Sequence, residues 1–166
     1  MLVIRLSSFI VGFVFLTGCA PTSAEYQNSG SPSLQFELRR ASSDAVEGWD
    51  TLVFHPSGAS VAETLSISPT AEISNSNLRS TSVKQDANGT WMVVLTLNES
   101  AKLRFGELST KMAGETAKRE RLAFMIDGKT LVAPFVTAPM TDGVISMTGP
   151  FTEDEARRIA KGMMGP

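Results

Sequence analysis

The chain has 166 residues, enough for one domain with a real core and too few for two. Charged residues make up 19% and the formal net charge is -2, which gives no basic field for nucleic acid, and a single cysteine excludes an internal disulfide. One histidine, His55, leaves little room for a zinc site or a histidine-based catalytic relay.

The chain opens with "MLVIRLSSFIVGFVFLTGC", in which Arg5 precedes an apolar stretch from Phe9 to Leu16. That stretch is roughly half of what a helix needs to cross a bilayer. A basic start, a short apolar middle and small residues at the end mark a secretory signal. Leu16-Thr17-Gly18-Cys19 resembles the bacterial lipobox. The resemblance implies that residues 1–18 are a signal peptide, removed before Cys19, and that the Cys19 thiol and the new N-terminus are acylated. Several acyl chains hold a protein firmly where one binds only marginally, each buried methylene contributing about 0.8 kcal/mol. The bland alternative is a plain signal peptide, or an uncleaved anchor with an incidental cysteine. The lipobox reading places the protein in the cell envelope, facing the periplasm or extracytoplasmic side, with a membrane as its partner through the lipid. Ala20 stands where many Gram-negative lipoproteins retained at the inner membrane carry aspartate, so an outer-membrane address is compatible with the sequence.

Residues 19–33, with "APTSAEYQNSGSPS" after the cysteine, lack apolar periodicity and read as a flexible tether. The domain is expected over 34–166. "LQFELRR" alternates Leu34, Phe36 and Leu38 with polar residues, as a half-buried strand does. "DTLVFH" (Asp50 to His55) is a second strand, ended by Pro56-Ser57-Gly58, and "AETLSIS" a third. A turn-rich passage from Pro69 leads to two strands, one around Val83 and one from Trp91 to Leu97, joined by a tight Asn88-Gly89 hairpin.

"NESAKLRFGELSTKMAG" predicts a helix capped by Asn98, with Ala101, Phe105, Leu108 and Met112 on one side. "RLAFMIDGKTLVAPF" predicts a hairpin around Asp127-Gly128, its second strand ending or running at an edge at Pro134. "GVISMTG" is a last short strand. "FTEDEARRIAKGMM" predicts a helix with a Thr152/Glu155 capping box and a buried stripe of Ala156, Ile159 and Ala160. Strands and helices mixed without βαβ alternation predict an α+β domain: a mainly antiparallel sheet with two helices packed on one face.

The second half of the chain resembles the periplasmic head of the first large loop (P1) of SecD, in the SecDF protein-export complex. The residues that carry it are Trp91 to Leu97, Ala101 and Phe105; Leu122 to Ile126, Asp127-Gly128 and Leu131-Val132-Ala133-Pro134; and Gly143, Gly149, Phe151, Thr152, Glu153, Glu155 and Ala156. The match covers 78–162, and more weakly "LQFELRR" and "LSISPTAEI". Met147-Thr148-Gly149 departs from a commoner Ile-Ser-Gly. The chain shows no counterpart of the proton-driven membrane bundle of SecD, so the resemblance implies a fold and a binding surface, without a motor.

No phosphate loop, HExxH, CxxC, Gly-x-Ser-x-Gly or Ser-x-x-Lys motif occurs, and no catalytic residue, metal ligand or cofactor is predicted. His55 reads as a surface-turn residue, Glu153-Asp154-Glu155 as charges complementing a helix N-terminus, and Lys118-Arg119-Glu120-Arg121 as a solvated turn. Met112, Met125, Met140, Met147, Met163 and Met164 could form an adaptable apolar surface, although core packing explains most of them more simply. The resemblance and the lipobox together predict a non-enzymatic, lipid-anchored envelope protein binding unfolded polypeptide or Sec translocon components, through a surface of Pro134, Phe135, Met140 and Gly143. The alternative is an envelope adaptor that reuses the fold with no role in secretion.

Overall fold

The computed structural model describes residues 24–27, 30–56, 60–113 and 120–165. The signal sequence, Cys19, Ser57-Gly58 and Lys118-Arg119 lie outside the described residues. The strands are β1 (Glu25–Gln27), β2 (Phe36–Ser42), β3 (Asp50–Phe54), β4 (Glu63–Ser74), β5 (Leu78–Gln85), β6 (Trp91–Leu97), β7 (Glu120–Ile126), β8 (Lys129–Val132) and β9 (Val144–Phe151). The helices are α1 (Glu99–Met112) and α2 (Glu153–Met164). This is the α+β, antiparallel architecture with two helices that the pattern predicts. The strands divide, however, between a four-stranded sheet, β1-β5-β6-β9, and a five-stranded sheet, β3-β4-β2-β7-β8.

Alternation explains the layering. Phe36 and Leu38 of β2 and Leu122 and Phe124 of β7 enter one large core with Val93, Leu95, Ile145 and Met147 of the other sheet. Both helices feed that core, α1 through Ala101, Phe105 and Met112, α2 through Ala156, Ala160, Met163 and Met164. Ala41, Phe54, Leu65, Ile67, Ala123, Met125 and Ala133 form a second, smaller cluster. The five-stranded sheet is thus apolar on both faces, because neighbouring residues of β7 point in opposite directions. Among the described residues, no helix is long and apolar enough to cross a membrane.

Both helix starts are as read. Asn98 Oδ1 accepts from Ala101 N at 3.0 Å, and Thr152 with Glu155 closes a reciprocal capping box. The Asp127-Gly128 hairpin is also as read: φ is 49° and 75° at these positions, the two left-handed residues of a type I′ turn.

Three local readings are corrected. Glu25–Gln27, assigned to the tether, pairs antiparallel with β5 through Tyr26 and Thr81, and Tyr26 packs on the large core. An aromatic side chain with core surface to cover outweighs the polar composition around it. Strand β4 runs on through Pro69 and Thr70, which the sequence assigned to turns. The proline is tolerated because the β2–β4 register shifts there, placing it in an exposed bulge. The Asn88-Gly89 connection is wider than a tight turn. Only Gly89 takes a positive φ, and the Asp86 carboxylate collects the backbone N–H groups of Asn88 and Thr90, each at 2.8 Å.

Candidate functional site

The two sheets leave a cleft of about 610 Å³. Phe54, Phe124, Val132 and Pro134 line one wall, and Ser146 to Pro150 of β9 form the other. Strands β8 and β9 are the last strands of their respective sheets, so the cleft lies beside two sheet edges that are unpaired among the described residues. A second pocket of about 240 Å³ shares Phe124, Pro134 and Ser146 with it and adds Phe135, Met140 and Ile145.

Each wall has a local cause. Pro134 cannot donate to a ladder, but its carbonyl accepts from Leu122 N at 3.0 Å, and Phe135 bridges to Arg121. The segment after β8 is thereby held along β7 past the end of the regular strand. On the other wall, two residues of β9 bulge from β6: Met92 faces Thr148 while Trp91 faces Phe151. Gly149 permits this, since a Cβ there would sit 2.6 Å from the Phe151 ring.

The charges in the cleft neutralise each other. Arg121 Nη1 donates to Glu63 Oε2, and the guanidinium lies 4.3 Å from the centroid of the Phe135 ring. The Arg121 side chain is only 13% exposed, and its Nε is buried without a hydrogen-bond partner among the described residues. An apolar cleft whose acid and base are already engaged suits an uncharged, apolar guest.

Of the residues predicted to form a contact surface, Pro134, Phe135 and Met140 gather along these pockets. Pro134 and Phe135 are exposed and Met140 is half-buried. Gly143 lines neither pocket. It is buried with φ at 77°, a Cβ would meet the Lys102 side chain at 2.9 Å, and its carbonyl accepts from Leu97 N. The remaining predicted methionines, Met112, Met125, Met147, Met163 and Met164, are core residues. A methionine-rich surface is therefore overturned for all but Met140.

Arg121 and Glu63 are the members of the cleft that sequence reasoning missed. The charged run Lys118-Arg119-Glu120-Arg121 predicts a solvated turn, whereas Arg121 is the second residue of β7. Its position one residue before the apolar run Leu122–Met125 was the available signal. Nothing local in the sequence announces Glu63, 58 residues away. His55 is exposed, as read.

The charged start of α2 stabilises the fold immediately after β9. Thr152 N and Oγ1 both donate to Glu155 Oε2 at 2.9 Å. These bonds, backbone first, with Arg158 adding a smaller attraction, hold the Glu155 carboxyl below its ordinary range. Glu153 accepts from Arg157 at 2.6 Å, and this bond, followed by one to Tyr26, raises the guanidinium above its ordinary value.

Residues 53–165 match the family described as SecDF, P1 head subdomain. Protein translocase subunit SecD of Acidaminococcus fermentans is 30% identical over 88 residues, 53% of this chain and 20% of that protein. Protein translocase subunit SecD of Dictyoglomus turgidum is also 30% identical over 88 residues, 53% of this chain and 21% of the relative. The aligned part is thus about a fifth of the length of these relatives. Two solved structures share the fold. A crystal structure of SecDF in its super-membrane-facing form superposes with a TM-score of 0.62 at 18% identity, covering 80% of this chain and 19% of that one. A structure of SecDF described as a membrane component that enhances protein export gives 0.60 at 18% identity, covering 80% and 63%.

Proposed function

Because this chain belongs to the SecDF P1 head subdomain family, we propose that it is a non-enzymatic protein of the cell envelope that holds unfolded polypeptide in the cleft between its two sheets. The observation that carries this reading is the cleft itself. It is apolar, it lies inside the family-matched region, and its acid and base, Glu63 and Arg121, are spent on each other. Phe135, 48% exposed at the rim, is the side chain best placed to touch a guest first, with Pro134 and Met140 beside it.

The second half of the proposal is the anchor. Cys19 would be acylated, keeping the domain at a membrane on the extracytoplasmic side, near a Sec translocon component or a chain emerging from one. The lipobox-like Leu16-Thr17-Gly18-Cys19 supports this. Activity of a whole SecD protein is not carried over, since the aligned region is about a fifth of those relatives.

The test is a binding titration of the purified full chain with a fluorescently labelled polypeptide, once unfolded and once folded. The unfolded form binds, the folded form does not, and Phe135→Ala weakens the binding. Equal binding of both forms, or of neither, removes polypeptide capture and leaves the envelope-adaptor reading. Metabolic acyl labelling of wild type against Cys19→Ser tests the anchor separately.

A further inference from the structure

The hydrogen-bond phase of β9 determines how a polypeptide would be held. Leu97 N donates to the Gly143 carbonyl at 2.8 Å, making these two residues a bonded pair of the antiparallel ladder. The register then makes Leu95/Ile145 and Val93/Met147 the next bonded pairs. Val144, Ser146 and Thr148 alternate with them, so their N–H and C=O groups point away from β6, to the outer edge. Val144 N is satisfied locally by Asp142 Oδ1 at 3.0 Å. The outward N–H groups of Ser146 and Thr148 meet no partner among the described residues.

We propose that an extended polypeptide adds to this edge as a further β-strand, bonding to the main chain of Ser146 and Thr148 and placing apolar side chains in the cleft. The inference rests on the polypeptide-binding reading above and specifies its mode. The chemistry selects the guest. Donors and acceptors repeating at every second residue of a strand are matched by another extended main chain, and such bonds are indifferent to sequence. The paired Glu63 and Arg121 leave no net charge to recruit an ionic group, so selection falls on uncharged apolar residues at alternate positions. The guest strand ends where Gly149 and Pro150 bulge, since proline has no N–H to continue the edge.

The test uses the purified full chain and a synthetic peptide of alternating valine and threonine with lysines at its ends. Peptide addition slows hydrogen exchange at the Ser146 and Thr148 amides. Thr148→Pro removes an outward donor while sparing the ladder to β6, and weakens binding by at least about tenfold, whereas Thr148→Ala trims the cleft wall but keeps the donor and weakens binding much less. Full affinity in Thr148→Pro, or unchanged exchange at both amides in the wild-type complex, overturns strand addition while the cleft remains a polypeptide site. No binding of this peptide or of any unfolded polypeptide overturns the underlying function as well.

Discussion

Asn75 Nδ2 donates to the Met163 carbonyl at 2.8 Å across 88 residues of sequence. The same amide donates to the Leu34 carbonyl at 3.0 Å, and its Oδ1 accepts from Phe36 N at 2.8 Å. One side chain thus joins the turn after β4, the start of β2 and the end of α2. Asn75→Ala is expected to lower stability by about 2–3 kcal/mol, because it removes three bonds and strands partly buried groups. Asn75→Asp should do nearly as much damage, having lost both donors. Urea unfolding of the three proteins reads this directly.

Arg121 and Glu63 should be strongly non-additive. Glu63→Ala leaves a largely buried guanidinium without its carboxylate and is expected to cost about 1–2 kcal/mol, moderated because Glu63 is 42% exposed. Arg121→Met in the Glu63→Ala background should recover part of that loss. A double-mutant cycle by chemical denaturation checks it.

Gly162 inverts the usual rule for helices. Alanine normally stabilises a helix interior relative to glycine by about 1 kcal/mol. Here a Cβ would sit 2.6 Å from Leu34 Cγ, and Leu34 cannot easily retreat, since Ser33 N and Leu34 N both donate to the Gly162 carbonyl. Gly162→Ala is expected to lower the melting temperature, with a net loss of about 1–2 kcal/mol.

The α2 cap makes stability dependent on acid. Thr152→Ala is expected to cost about 1 kcal/mol at neutral pH. The Glu155 carboxyl is held below its ordinary range by Thr152, so its ionised form favours the folded state above the unfolded pKa. That contribution disappears as pH falls through the lowered folded value. Glu155→Gln should therefore show a shallower fall in stability on acidification than wild type, measured by denaturation across the acidic carboxylate range.

Elements with strong local signals were legible in the sequence. The stripe of Ala101, Phe105 and Met112, the Thr152/Glu155 spacing and Asp127-Gly128 each determine their structure within a few residues. The short strand at Tyr26 was not, because its pairing with Thr81 is a tertiary event in polar sequence. Nor was the division into two sheets, which depends on which edges stay unpaired. The site was half legible for the same reason. Pro134 signalled an edge and Phe135 an exposed aromatic, whereas the ion pair lining the cleft joins residues that no local pattern connects.

The most direct test of the central claim is photo-crosslinking in living cells from the full chain carrying the photoreactive residue at position 135, with position 103, an exposed leucine on α1, as the control. The account predicts that the probe at 135 captures chains still in transit and unfolded, and that the probe at 103 does not. Equal capture from both positions, or none from 135, would contradict it.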